Sequence, residues 1–360
     1  YVSPSANRKS GYPNRYFVML KENLAEYFEV LDASNEPYLT QGWALLKHSF
    51  KADIFLLSFV ETIAFHKLAF LQYLMVRLSL LIMRLRRKEI VFIFHNPRPH
   101  KGENWMSRSL TKAQLIQACL VISHSCETAS FARGLLSEYG CPPDKVRYIC
   151  HPVVEPSPDF WASLVSGADS PLGPARSDEI LIWGNILPYK GVLEFVSSPA
   201  VRSAGLKVRI VGRCKDPGMA SGIEKAVAEC DSTEFRNFND GFSAMRSRIV
   251  FENRSADFAE LAVLVRSSRF VLFPYLPGSV SSSGVLMDTL AMGGNPVGPA
   301  VGAFADLARE NVCFVYGSEA EMIEILKSDR HVNPEILRDF IARNTWHAYA
   351  KFFSDFFSRA

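Results

Sequence analysis

The chain has 360 residues, 48% of them hydrophobic and 21% charged, with a net charge of +3. That length exceeds a usual single core and predicts two domains. So small a net charge gives no support to nucleic acid as the main partner, and none is expected. Seven cysteines are spread widely with no Cys-x-x-Cys pair, which fits a reducing compartment rather than a disulfide or zinc framework.

In chain order, short apolar runs alternate with longer helical patterns. Strands are predicted at 15–20 (RYFVML), 52–59, 89–96, 118–125 and 145–150, with helical stretches around 36–50, 62–87, 107–117 and 126–139. The most apolar stretch, Leu68–Met83, is too short to span a bilayer, is interrupted by Gln72 and Arg77, and runs into a basic end, Arg84–Lys88. Two readings of 68–88 stand side by side: a helix packed in an α/β core, or a peripheral surface resting on anionic lipid. Residues 152–179, rich in Pro, Ser and Gly, read as a linker. Beyond it, strands are predicted at 180–185, 206–212, 248–253, 269–275, 294–300 and 312–317, again separated by helices. Such alternation, with near-continuous apolar strands, points to parallel sheets covered on both faces. The expected architecture is α/β, with two Rossmann-like domains facing a cleft: residues 1–165 and 166–340, the last helix (340–360) packing back on the first domain. Ligands in such sheets sit at the carboxyl ends of strands.

The chain contains no phosphate-binding P-loop, no G-x-G-x-x-G, no G-x-S-x-G elbow, no D-x-D and no H-E-x-x-H. ATPase, classical dehydrogenase, α/β-hydrolase and zinc-protease readings lose their usual support. The positive signals cluster at strand ends in the second half. Lys190 stands at a loop-to-helix transition in "ILPYKG", where a helix N-terminus already favours an anion. Arg213 follows another strand and a glycine. "SSSGVLMD" (281–288) places Ser282, Ser283 and Gly284 at the start of a helix, with Asp288 one turn on. Its hydroxyls and free N–H groups suit a diphosphate, and the carboxylate suits a ribose diol. The plain alternatives are a solvated lysine, a surface arginine and an ordinary Ser-capped helix.

Together "WGNILPYKG", "VGR" and "SSSGVLMDTLAMGGNPVGPAVGAFADL" resemble the nucleotide-sugar half of GT-B glycosyltransferases of the family 4 (group 1) type. In the first half, "NEPYLTQGWALL", "FHNPRPHKGENW" and "VISHSCETASFARGLLSEYGCPPDKVRYICHP" are similar to the same family, as is the closing "RNTWHAYAKFFSDFF". The spacing of "PYLTQ", "HNPRPH" and "PYKG" is similar to bacterial exopolysaccharide mannosyltransferases of the xanthan type. The resemblance implies transfer of a hexose from a UDP- or GDP-linked sugar to a saccharide or lipid-linked saccharide acceptor. It also implies no metal, because lysine, arginine and helix N–H groups offset leaving-group charge. Asn185 stands where the family usually has an arginine, Val280 where it has a first glutamate, and Asp288 where it has a second. The diphosphate counter-charge therefore falls to Lys190, helped by Arg213. If the reaction inverts, the acceptor needs a base, and the first-half strand ends offer Glu61 and His95, with His100 nearby. His151 is placed to meet donor phosphate or sugar. His95 and His100, five apart across two prolines, do not have metal-ligand spacing. The expected enzyme is cytoplasmic, at the inner membrane face if 68–88 rests on lipid. Its rivals are another GT-B-shaped enzyme, an epimerase or phosphorylase, or a non-catalytic nucleotide-sugar-binding protein.

Overall fold

The computed structural model describes residues 1–4, 14–31, 41–95, 97, 102–156, 177–232, 247–276 and 282–359. Its chain divides into two compact units, Tyr1–Pro152 with Asn344–Ala360, and Val153–Arg343.

In unit 1 the apolar runs become parallel strands because their residues are buried on both faces. The strands are β1 (Val2–Ser3), β2 (Ile54–Ser58), β3 (Glu89–Ile93), β4 (Leu120–Ser123) and β5 (Val146–Tyr148), paired in that order. Their helices are α1 (Arg15–Leu24), α2 (Gln41–His48), α3 (Ala69–Leu85), α4 (Trp105–Gln117), α5 (Cys126–Glu138) and the returning C-terminal α14 (Trp346–Ser358). The core joins Phe55, Leu57 and Phe92 of the strands to Val76 and Leu80 of α3 and Leu110 of α4. Each fully buried Phe or Leu of this kind contributes roughly 1.5–3 kcal/mol.

Three sequence expectations are corrected here. Residues 15–20, expected as a strand, begin α1: Asn14 caps it by accepting from the Tyr16 N–H at 3.1 Å, and Phe17, Leu20 and Leu24 are buried at helical spacing. The six-residue apolar run hid a period that only the longer stretch shows. The single helix expected over 62–87 is a 3-10 turn, Val60–Phe65, followed by α3, with Leu68 in the left-handed region (φ +59°) between them. The linker is shorter than 152–179, because Val153 is buried and strand β6 already starts at Ser177, where its exposed first residues mask the pattern.

Unit 2 contains β6 (Ser177–Trp183), β7 (Lys207–Val211), β8 (Arg248–Glu252), β9 (Ser268–Leu272), β10 (Pro296–Pro299) and β11 (Phe314–Tyr316). They form one parallel sheet in the order β11-β10-β9-β6-β7-β8. The chain therefore runs outward from β6 to β8, returns to β9 on the other side of β6, and runs outward again. The reversal between β6 and β9 is a topological switch point, where the following loops diverge and leave room for a ligand. Helices α6 (Val192–Ser197), α7 (Pro199–Arg202), α8 (Pro217–Ser232), α9 (Phe258–Ser267), α10 (Gly284–Ala291), α11 (Gly302–Arg309), α12 (Glu319–Lys327) and α13 (Pro334–Arg343) complete the unit.

Candidate functional site

The loops that follow β6 and β9, on the two sides of the switch point in unit 2, are brought together: the Leu276 N–H donates to the Tyr189 carbonyl at 3.0 Å. After β6 the chain passes Gly184, the exposed Asn185 and a 3-10 turn, Pro188–Lys190, that turns Lys190 inward. Lys190 is only 6% exposed, and no ion-pair partner stands against it among the described residues. A Cβ placed on Gly184 would lie 3.4 Å from Lys190 Nζ and 3.4 Å from a Val285 methyl. The ammonium and the first turn of α10 thus both border Gly184, and the ammonium lies 5.6 Å from the centre of the Tyr275 ring beyond β9. Burial lowers its pKa to about 8. Gly191 closes the turn at φ +64°, and any side chain there would meet the Pro274 carbonyl at 2.0 Å.

Ser283 is the N-cap of α10 and accepts from the Leu286 N–H, while Tyr275 Oη lies 3.4 Å from Ser283 Oγ. Ser282 and Ser283 are half-buried, Gly284 is exposed, and Asp288 is half-buried one turn further along the helix. The indole of Trp183 donates to Thr289 Oγ1 at 3.0 Å, tying the end of β6 to α10. Arg213 lies on the exposed loop after β7, and its carbonyl accepts from the Ile186 N–H at 3.0 Å, so it neighbours the Asn185 loop. Ser281 and Val280 lie outside the described residues, as does His100. An ammonium of depressed pKa near a helix start is an arrangement that can meet an anion.

The carboxyl end of the sheet in unit 1 is of another kind. His95, His124 and His151 follow the successive strands β3, β4 and β5, and their rings form one cluster, with centroids 5.5 Å and 5.2 Å apart along the row. Tyr16 of α1 packs edge-on against all three, at 5.3, 5.7 and 5.3 Å, and against Trp346 of α14 at 5.1 Å. His124 Nδ1 donates to the Ile149 carbonyl at 2.8 Å, which makes Nε2 the acceptor of the Tyr16 hydroxyl at 2.8 Å. His151 Nδ1 donates to the Pro152 carbonyl at 2.9 Å. His95 Nε2 bonds the Ser58 hydroxyl at 2.7 Å, and its ring stacks on Phe59 at 4.2 Å.

Burial keeps all three imidazoles neutral. The pKa of His95 falls to about 3, that of His151 to about 4, and that of His124 well below the usual range, with the neighbouring histidines adding to the effect on His95 and His124. Glu61 stands in the 3-10 turn after β2, and its Oε2 is buried without a hydrogen-bond partner among the described residues. Burial raises its carboxyl to about 7, with its own backbone N–H offsetting part of that.

Tyr16, His124, Trp346, Tyr275 and Tyr349, the last in α14 with its ring 5.7 Å from that of His124, are not among the site residues that the sequence suggests. The histidines had a readable signal, since three successive apolar runs each end in histidine: FIFH, VISH and YICH. Tyr16 and the α14 aromatics had none, because helix packing alone brings them to the strand ends.

No family model matches the sequence, and no curated protein matches it. Solved structures do. The chain superimposes on Anabaena Alr3699/HepE in complex with UDP and glucose with a TM-score of 0.60 at 13% identity, covering 98% of both chains. Against the E. coli trehalose-6-phosphate protein bound with UDP-2-fluoro glucose the TM-score is 0.59 at 12% identity, over 88% of this chain and 76% of that one. A glycosyltransferase from Rickettsia africae gives 0.54 at 14% identity, over 92% and 84%. The fold is GT-B. Two parallel α/β sheets are the GT-B architecture that the sequence led one to expect.

Proposed function

We propose that this chain is a glycosyltransferase that takes a hexose from a nucleoside-diphosphate sugar. One observation carries the reading: a buried ammonium, without a carboxylate partner among the described residues, beside the start of α10 at the β6/β9 reversal. A buried cation costs stability unless an anion meets it, and a diphosphate is the anion that a helix start also favours. Unit 2 is then the donor-binding unit: Lys190 and the Ser282–Gly284 turn meet the diphosphate, Asp288 the ribose, and Asn185, with Arg213 on the next loop, the outer rim. The UDP and UDP-sugar ligands of the GT-B structures support uridine as the base.

Unit 1 is the acceptor-binding unit in this reading. Glu61 accepts the proton of the attacking hydroxyl, because a carboxyl near pH 7 is suited to general base catalysis. His95 is too weakly basic for that task and serves instead as a neutral hydrogen-bonding group, as does His151. Charge that develops on the leaving diphosphate is met by Lys190 and the helix N–H groups, so the proposed reaction uses no metal ion.

A thermal-shift panel of UDP, GDP and ADP, followed by hydrolysis assays with the matching sugar nucleotides, tests the reading. UDP is expected to raise the melting temperature, and slow release of UDP from a UDP-hexose is expected without acceptor. Binding of no diphosphate and hydrolysis of no sugar nucleotide would end it. Release of a free epimer or sugar phosphate would replace transfer with the rival chemistries.

A further inference from the structure

The outer face of α3 is apolar over its whole length. Phe70, Leu71, Leu74, Leu78, Leu81 and Leu85 are each 46–74% exposed, whereas Val76, Ser79, Leu80 and Met83 on the opposite face are buried. At 3.6 residues per turn the six exposed side chains span an arc of about 100°. Their stripe runs roughly 22 Å along the axis at 1.5 Å per residue. So long a row of exposed leucines is not what a solvated helix carries, and it marks an interaction surface.

The charges around the stripe say what covers it. Residues 62–88 contain no Asp or Glu, but they contain Lys67, Arg77, Arg84, Arg86, Arg87 and Lys88. Arg77 and Arg84 fall along one edge of the stripe by helical spacing, and Arg86 and Arg87 follow its end. All four are exposed and make no ion pair among the described residues, while Lys88 is held by Asp53 at 2.7 Å. The exposed Phe50 ring, at 5.9 Å from the Arg86 guanidinium, adds an aromatic at the same end. A second copy docked on this face by a two-fold axis along the helix would set the arginine-bearing ends against each other. No described helix is long and apolar enough to cross a membrane.

We infer that α3 is a monotopic anchor, lying in the plane of an anionic phospholipid surface with its leucine arc in the acyl boundary and its arginines among the headgroup phosphates. The inference stands on α3 alone and does not depend on the proposed chemistry.

Co-sedimentation with phosphatidylcholine vesicles, with and without phosphatidylglycerol as about one third of the lipid, tests it. The full chain is expected to bind the anionic vesicles at least about tenfold more strongly than the neutral ones, and to lose that preference in R84E/R86E/R87E. The triple variant L74E/L78E/L81E is expected to lose at least about tenfold in vesicle binding, because each charge must enter the acyl boundary. These three positions are exposed, so its melting temperature and its response to UDP should match those of the unaltered chain. Equal binding of variant and parent would overturn the inference, and so would absence of binding to anionic vesicles. Sedimentation velocity supplies the rival outcome: a dimer that L74E/L78E/L81E converts to a monomer would assign the face to a second copy.

Discussion

The carboxyl ends of the two sheets solve opposite electrostatic problems. In unit 2 a buried ammonium is left charged beside a helix start, and its depressed pKa records the cost. In unit 1 three buried imidazoles shed their protons, and a buried carboxyl rises to about 7. The first arrangement suits an anion brought by a ligand. The second is dry and neutral, suited to positioning hydroxyl groups and moving a proton. The difference follows from topology. The unit 2 sheet reverses at β6/β9 and opens a gap between loops, while the described strands of unit 1 follow chain order and bring their three histidines into one row.

The largest expected effect lies on the charged side. Lys190→Met should lower UDP release by about a thousandfold, the scale of losing an electrostatic donor at a developing oxyanion. With no ligand bound it should also be more stable than the parent. A lysine whose pKa is depressed on folding loses stability as pH falls through about 8, so at neutral pH the cost is present in full, on the order of 3 kcal/mol. Turnover assays and thermal melts with and without UDP check both halves. An unchanged turnover would remove Lys190 from the site.

Glu61→Gln comes next. If Glu61 is the base, transfer should fall about a hundredfold or more and lose its rise through about pH 7. The stability sign mirrors the lysine. A carboxyl raised on folding contributes stability below its unfolded pKa and loses it as pH rises through about 7. The Gln variant should therefore be more stable than the parent under mildly alkaline conditions and equal to it in acid. A melt series across pH, set beside the rate profile, checks this.

The histidine row sets the third expectation. A histidine depressed on folding loses stability as pH falls from the unfolded value of 6.5 toward about 4 for His151 and about 3 for His95. Three such groups together approach a slope of roughly 4 kcal/mol per pH unit in that window. Hydrogen exchange at mildly acidic pH should show unit 1 opening while unit 2 keeps its protection. Equal loss in both units would erase the contrast between them. The smallest effect is Ser283→Ala, which removes the cap of α10 at a cost of about 1 kcal/mol, read as a lower melting temperature.

Much of unit 2 was legible because its strands are short, apolar and punctuated by glycine: "VGR", "YKG" and "GGNP" mark strand or helix ends in the chain itself. Lys190 and Ser283 could be named since loop-to-helix transitions are local events. The helix nature of 15–20 was not legible from six residues, because a strand and one helical turn share that pattern. Nor could the exposure of α3 be read from its leucines. Val76 and Leu80 look no different in the sequence from Leu74 and Leu78, yet the first pair is buried in the core and the second pair faces out.

What the sequence determined by itself is the alternation of strands and helices, the placing of lysine, serines and histidines at strand ends, and the acid-free basic stretch at 62–88. All of these depend on residue type and short-range spacing. The tertiary structure decided which strand ends meet: strand order is a long-range property, fixed by how the helices cover each sheet. It brought Lys190 and the start of α10 to Gly184, and it carried Tyr16 to three histidines, and Trp346 to His151, that lie far from them in the chain.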